Sequence, residues 1–344
     1  MIVENVMTKK RDSSKVQAEP RPKRGLRVQL PANLLLFPAI LVTFVLGALV
    51  SPTFLTPANI VQNIGSSSAP LALLSLGVML IMLTANFDLS LQSTIGFAPM
   101  VAALLMTPVS FGGTGLELNP YLGLVLALVI GAAISAFNGF LVVKIGLNGF
   151  MVTLAMLIVV SGLTLGFSNG QTLSPLPKPF TYLGNEQWAG IPVSVWLVGF
   201  LALILGGFLR FHRAGRAIYA IGGNLNAARA SGIRVDAIRL GVYVVGGALA
   251  ALAGVVTSGI TSAVTASQGN NTIFSAFAAV VIGGVSLNGG KGTVLGVLMG
   301  VLLLGSITNV LTLAQVSSFW IDACYGVVIL LALLVGRIGG KENA

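Results

Sequence analysis

Few side chains in this sequence are equipped for chemistry, and most of those stand apart from one another. Asp88, in the stretch ANFDLSLQS, is the only ionisable residue between Arg27 and Glu117. An acid among long apolar runs is a functional candidate by default, because a charge in hydrocarbon is costly. An aspartate ahead of a helix also accepts hydrogen bonds from that helix's first free amides. Two readings of Asp88 therefore stand: a group lining a path, or a cap in a tight turn. The single histidine, His212, has no cysteine, histidine or carboxylate nearby at metal-ligand spacing, and among arginines it reads as a solvated loop residue. The single cysteine, Cys324, excludes an internal disulfide framework and a cysteine-based zinc cluster. Asp322 has no obvious basic partner. The turn IGGVSLNGGKGT superficially suggests a phosphate loop, but that loop requires G-x-x-x-x-G-K-[ST]; here Val285 occupies the first glycine position and Gly292 follows Lys291. No catalytic residue, metal site or cofactor site emerges.

The cations are clustered instead. Arg210, Arg213, Arg216, Arg229, Arg234 and Arg239 fall within one stretch, with Asp236 as its only acid. Each charge costs about 2.5–3.5 kcal/mol at the centre of a membrane helix, so this stretch faces water. The pair Gly222-Gly223, then Asn224 and the small-residue run Ala227 to Gly232, predict a short helix in a loop that presents a flat face to a partner.

Composition defines what surrounds these residues. The chain is 55% hydrophobic and 8% charged, against about 25% charge in an ordinary soluble domain, so it reads as an all-α polytopic membrane protein. The net charge of +10 could suggest nucleic acid, but eight of the nineteen basic residues precede residue 28 and six more lie in the arginine stretch. That placement is membrane topology, and no nucleic-acid partner is expected. Residues 1–32 read as a disordered basic cytoplasmic tail, 33–337 as a transmembrane domain containing the cytoplasmic loop 210–239, and 338–344 as a second cytoplasmic tail. A span needs about 20 apolar residues to cross roughly 30 Å of hydrocarbon. On that ruler about ten spans follow, near 33–51, 60–84, 88–107, 121–143, 149–167, 191–209, 238–258, 272–287, 292–312 and 319–336. With both termini inside, Lys144, the arginine loop, Lys291, Arg337 and Lys341 are all cytoplasmic, and only Lys178 is outside.

The second span carries Gln62, Asn63, Ser66, Ser67, Ser68 and Pro70 before its apolar half. It reads either as a broken helix lining a pathway or as an interfacial start to an ordinary span. Candidate path residues are Asn63, Ser66, Ser67, Ser68, Asp88, Asn138, Thr153 and Asn309; each has the alternative role of an interhelical hydrogen bond. Small residues at Gly131–Ala136, Gly246–Gly254 and Gly296–Gly305 predict close helix approach. The outer segments 108–120 and 168–190 are large enough to touch an external partner.

Taken together, SPTFLTPANI, DLS at 88–90, GFMVTLAML, SNG at 168–170, GRAIYAIGGN, ARASGI, GGVSLNGGKGT and GVVILLALLV occur in an order that resembles the sugar-permease subunits of bacterial ABC importers, the ribose and autoinducer permeases among them. The likeness covers nearly the whole chain after the tail. It implies a multi-pass protein of the bacterial inner membrane that binds no cofactor itself. ATP-Mg would sit on a cytoplasmic partner ATPase, a solute-binding protein would deliver a sugar or polyol from outside, and a second permease subunit, a copy or a relative, would complete the path within the membrane lipid. The resemblance places a coupling helix, the element that docks on the ATPase, at Gly222, Gly223, Asn224, Ala227, Ala228, Arg229, Ser231 and Gly232. The sequence departs from the family's pattern in having Leu225 and Asn226 where a glutamate is common, and Asn86 and Gln92 around the DLS triplet. The rival reading is a self-powered carrier or channel, in which the arginine loop is only an orientation signal.

Overall fold

Glycines on one helix determine how the bundle closes. In the computed structural model, which describes residues 32–317 together with 320, 321, 323, 324, 326 and 327, the longest helix is α10 (Val235–Thr261), about 40 Å at 1.5 Å per residue. Its glycines face different neighbours. Gly246 meets Gly77 of α2 (Ser66–Leu83), Gly247 the Gly131 carbonyl of α4 (Pro120–Val143), Gly254 the Ile95 carbonyl of α3 (Leu91–Met106), and Gly259 lies against Gly184 of α6 (Lys178–Asn185). A Cβ at any of these positions would press on the opposing backbone or side chain. Lipid supplies no hydrophobic drive between helices, so the close approach these glycines allow contributes through van der Waals packing.

Around this hub the helices sort by exposure. α2 and α10 are enclosed, whereas α5 (Gly149–Ser168) and α7 (Val193–Phe211) are mostly exposed. Their outward residues are large and apolar, among them Ile158, Phe200 and Leu203, as a lipid-facing surface requires. Among the described residues, six helices are long and apolar enough to cross a membrane: 59–83, α4, α5, α7, α10 and α12 (Val294–Leu313). An apolar helix of 19 residues, α1 (Ala32–Val50), occupies the first expected span, and shorter apolar helices, α3 and α11 (Thr272–Ile282), the third and eighth. Most of the expected tenth span, the N-terminal tail through Pro31, the tail 338–344 and Asp322 lie outside the described residues.

Three expectations change. The second span is not interrupted: a π-helical segment, Asn59–Gly65, runs directly into α2, and Pro70 sits within the continuous helix. The third span is short because the preceding turn, 84–90, is itself buried in the bundle. The eighth is helical only over Thr272–Ile282, and its last expected residues, 283–287, belong to the turn that follows. The chain leaves α10 at Ser262, pairs Val264 with Leu173, and then descends until Gln268 donates to the carbonyls of Ile95 and Gly254 at 3.1 and 2.9 Å. Only then does α11 begin. The irregular segment is tolerated because buried Gln268 and neighbouring backbone satisfy its polar groups.

The segment 168–190 also folds onto the bundle rather than standing free. Phe180 of α6 is fully buried. A two-residue antiparallel pair follows, β1 (Gln187–Trp188) with β2 (Ile191–Pro192), whose Ala189 and Gly190 both take positive φ as a tight hairpin turn demands. Tyr182 and Trp188 meet through a Trp188 Nε1 to Tyr182 Oη hydrogen bond of 2.8 Å.

Candidate coupling surface and buried polar clasp

The arginine stretch forms two helices. His212 caps α8 (Arg213–Gly223), its Nδ1 accepting the Ala214 amide at 3.2 Å, while its ring stacks on Phe208. It is therefore a capping residue rather than a simple solvated one. Asn224 caps the six-residue α9 (Leu225–Ala230) by accepting the Ala227 amide at 3.0 Å. After α9 the chain turns at Gly232, whose φ of +77° suits glycine.

The structure divides the eight expected coupling residues. Gly223, Asn224, Ala227, Arg229, Ser231 and Gly232 are exposed. Ala228 is buried, packed with Ile221 and Val235 beneath α9, so it supports the surface from below. Gly222 faces inward: a Cβ there would overlap the Leu83 carbonyl and the Gly290 amide. Asn226 and Ala230 are exposed on the same short helix. α9 thus has a buried and an open side: Ala228 packs on Ile221 and Val235, while Asn226, Ala227, Arg229 and Ala230 of the same helix are exposed.

Two further segments hold this surface. The Gly290 amide donates to the Leu83 carbonyl at 3.0 Å, which inserts the glycine-rich turn between the end of α2 and α8. Tyr219 of α8 donates to the Gly292 carbonyl at 2.9 Å. Burial raises its phenol above the ordinary value, so it stays a proton donor. Asp236 joins Lys144 and Arg229, each at 3.3 Å and exposed, a bridge worth no more than about 1 kcal/mol.

Asp88 lies immediately behind this assembly. It does accept an amide near a helix start, that of Ser90 at 3.0 Å on Oδ1, but it is almost wholly buried and bound across to α4. Ser90 Oγ donates to Oδ1 at 2.6 Å, Ser135 Oγ to Oδ2 at 2.7 Å, and Asn138 Nδ2 to Oδ1 at 3.3 Å and to Ser90 Oγ at 2.6 Å. Ser135 and Asn138 lie about 12 and 7 Å from the Val143 end of α4. Asp88 is thus inside the bundle rather than in an interfacial turn, and its carboxyl oxygens meet four hydrogen-bond donors rather than a cation.

α10 closes the other side of the 84–90 turn. Arg239 Nη2 donates to Asn86 Oδ1 at 2.5 Å, Asn86 Nδ2 donates to the Thr84 carbonyl at 2.8 Å, and Tyr243 Oη donates to the Phe87 carbonyl at 3.2 Å. Arg239, grouped by sequence with the water-facing arginines, is half-buried and bonded here. Sequence reasoning flagged Asn86 as a departure but had no signal for its partner, 153 positions away.

The remaining path candidates separate likewise. Asn138 and Thr153 are fully buried, and Thr153 bonds back to the Gly149 carbonyl of its own helix. Asn309 exchanges amide hydrogen bonds with Asn59 at 2.8 and 3.0 Å, and Asn63 donates to Asn59 Oδ1 at 2.9 Å. Ser68 sits against Gly305 of α12. Asn63 and Ser67 are exposed and Ser66 partly so. Asp88, Asn138 and Thr153 therefore line no open space. Among the described residues no group of His, Cys, Asp and Glu could hold a metal ion.

A multi-pass helical bundle that exposes a short helix of small residues on its arginine-rich loop suits the class of membrane transport permeases. Comparison with known proteins agrees: residues 60–335 match the family described as branched-chain amino acid transport system / permease component. The chain belongs to that family, and is a permease subunit of the ABC importer class. It is 38% identical over 304 residues to the ribose import permease protein RbsC of Escherichia coli K12, covering 86% of this chain and 91% of that one. It is 34% identical to RbsC of Bacillus subtilis 168, covering 88% and 91%, and 33% identical to the autoinducer 2 import system permease protein LsrC of Yersinia pseudotuberculosis YPIII, covering 87% and 83%. No solved structure matches. ATP in such a system is bound by a partner ATPase, and a solute-binding protein is the other expected partner.

Proposed function

We propose that this chain imports a monosaccharide or related polyol across the bacterial inner membrane, using ATP hydrolysed by a cytoplasmic ATPase that docks on α9. In this reading the chain crosses ten times, with both termini and the 210–239 loop on the cytoplasmic side where its basic residues favour them, and two permease subunits enclose the path. The sugar class rests on likeness to the ribose and autoinducer permeases, and on uncharged amides and hydroxyls, Asn63, Ser66 and Ser67, on the open face of the second span. Such groups suit a neutral polyol.

The observation that carries the coupling role is the exposed face of α9. Asn224, Ala227, Ala230 and Ser231 form a small, nearly uncharged platform between arginines, held from behind by the buried Ala228. Small side chains let another backbone approach closely, the property a docking groove requires. Ala227→Glu places a carboxylate on that platform without entering the core. The expected result is unchanged membrane yield and thermal stability, with loss of ATPase co-purification and of ATP-dependent uptake. Normal uptake by this variant would return the protein to the self-powered class.

A further inference from the structure

Of the six arginines in the 210–239 stretch, four have identified partners. Arg210 stands over the Phe211 ring at 5.4 Å, Arg216 Nη1 donates to the Phe211 carbonyl at 3.0 Å, Arg229 pairs with Asp236, and Arg239 bonds Asn86. Arg213 and Arg234 remain. Both are exposed, neither meets an acid or an acceptor among the described residues, and both stand at the lip of one groove of about 930 Å³. Below them the groove is apolar, walled by Leu205 and Phe208 of α7 and by Val242 and Val245 of α10, with Leu80 of α2 as its floor. Val245 lies about 15 Å along α10 from Val235, so the groove runs nearly three turns along a helix apolar enough to cross a membrane.

Water cannot fill such a space at that depth without loss, and two cations at its mouth call for an anion. The one acid of the stretch, Asp236, is already shared between Lys144 and Arg229. We infer that this groove is a binding site for an anionic phospholipid. Its acyl chains lie along α7 and α10, and its phosphate is held by Arg213 and Arg234. Guanidinium groups suit the role because their planar forks match phosphate oxygens. An apolar trough ending in paired cations at the interface is complementary to a lipid along its whole length, whereas an acidic protein segment would match only the mouth.

The test is native mass spectrometry of the full-length chain released from detergent micelles carrying equal amounts of dioleoyl phosphatidylglycerol and dioleoyl phosphatidylcholine. The wild type is expected to retain phosphatidylglycerol selectively. Arg213→Gln with Arg234→Gln is expected to lower that preference about 30-fold, from the usual contribution of a basic residue at an anionic membrane surface. Arg216→Gln, whose side chain is turned to the Phe211 carbonyl, keeps it. Val245→Trp, which fills the deep end with both arginines intact, is expected to displace phosphatidylglycerol as well, so the outcome does not depend on one variant's folding. No preference in the wild type, or a preference that survives both substitutions, overturns the assignment. So does a double-arginine variant that keeps its lipid preference yet loses the ATPase in phosphatidylcholine nanodiscs, which would give these arginines to the protein partner.

Discussion

Replacing Asp88 by alanine removes the acceptor shared by four hydrogen bonds. Two of the donors have alternatives: Asn138 Nδ2 keeps Ser90 Oγ at 2.6 Å, and Ser90 Oγ can rotate. The Ser90 amide and the Ser135 hydroxyl lose their partner outright. An orphaned buried donor costs about 1–3 kcal/mol, and Ser135 recovers part of this by turning to the carbonyl one turn back in its own helix. Relief of carboxylate desolvation offsets a little more, so Asp88→Ala should destabilise by about 2–4 kcal/mol. Asp88→Asn keeps the shape and one carbonyl oxygen, and Ser135 can accept from the new amide; about 1 kcal/mol is expected. Thermal unfolding of the purified chain in detergent should rank wild type, Asp88→Asn and Asp88→Ala in that order. Adding Ser135→Ala to Asp88→Ala removes the orphaned hydroxyl and should cost less than the two single changes summed, by about 1–2 kcal/mol. Strict additivity, or an Asp88→Ala protein that unfolds with wild type, would falsify the clasp.

Two other substitutions test the architecture around it. Gly222→Ala should destabilise by about 1–3 kcal/mol, since the methyl overlaps two backbone groups, whereas Gly223→Ala, with open space around its Cβ position, should be neutral in thermal stability; equal effects would contradict the inward orientation of Gly222. Arg239→Ala and Asn86→Ala should show a coupling energy of about 1–3 kcal/mol in a double-mutant cycle read by thermal unfolding, the range for a hydrogen bond with one charged partner, and a coupling near zero would mean that the bond contributes nothing.

Much of this protein is legible in one dimension. A run of apolar residues long enough to cross a bilayer is a property of consecutive positions, and so is the exclusion of six arginines from hydrocarbon. The expected limits of the spans at 60–84, 121–143 and 149–167 accordingly fall within a residue or so of the helices at 59–83, 120–143 and 149–168. The small residues of α10 announced close packing because in lipid only a missing side chain lets backbones touch.

Partnerships depend on which side of each helix faces inward, and no local pattern shows that when a span is apolar all round. Asp88 could be recognised as unusual, but its burial against Ser135 and Asn138 follows from how α4 is rotated against the 84–90 turn, a rotation set by Gly131 meeting Gly247. The same holds for α9, where Ala227 and Ala228 are chemically identical neighbours in the sequence. Only the packing of Ile221 and Val235 beneath Ala228 buries one and leaves the other on the surface. Residue type and spacing determined the class of this protein. Tertiary structure decided which of its polar and small residues meet, because hydrogen bonds and close contacts are set by distances in space that sequence separation does not encode.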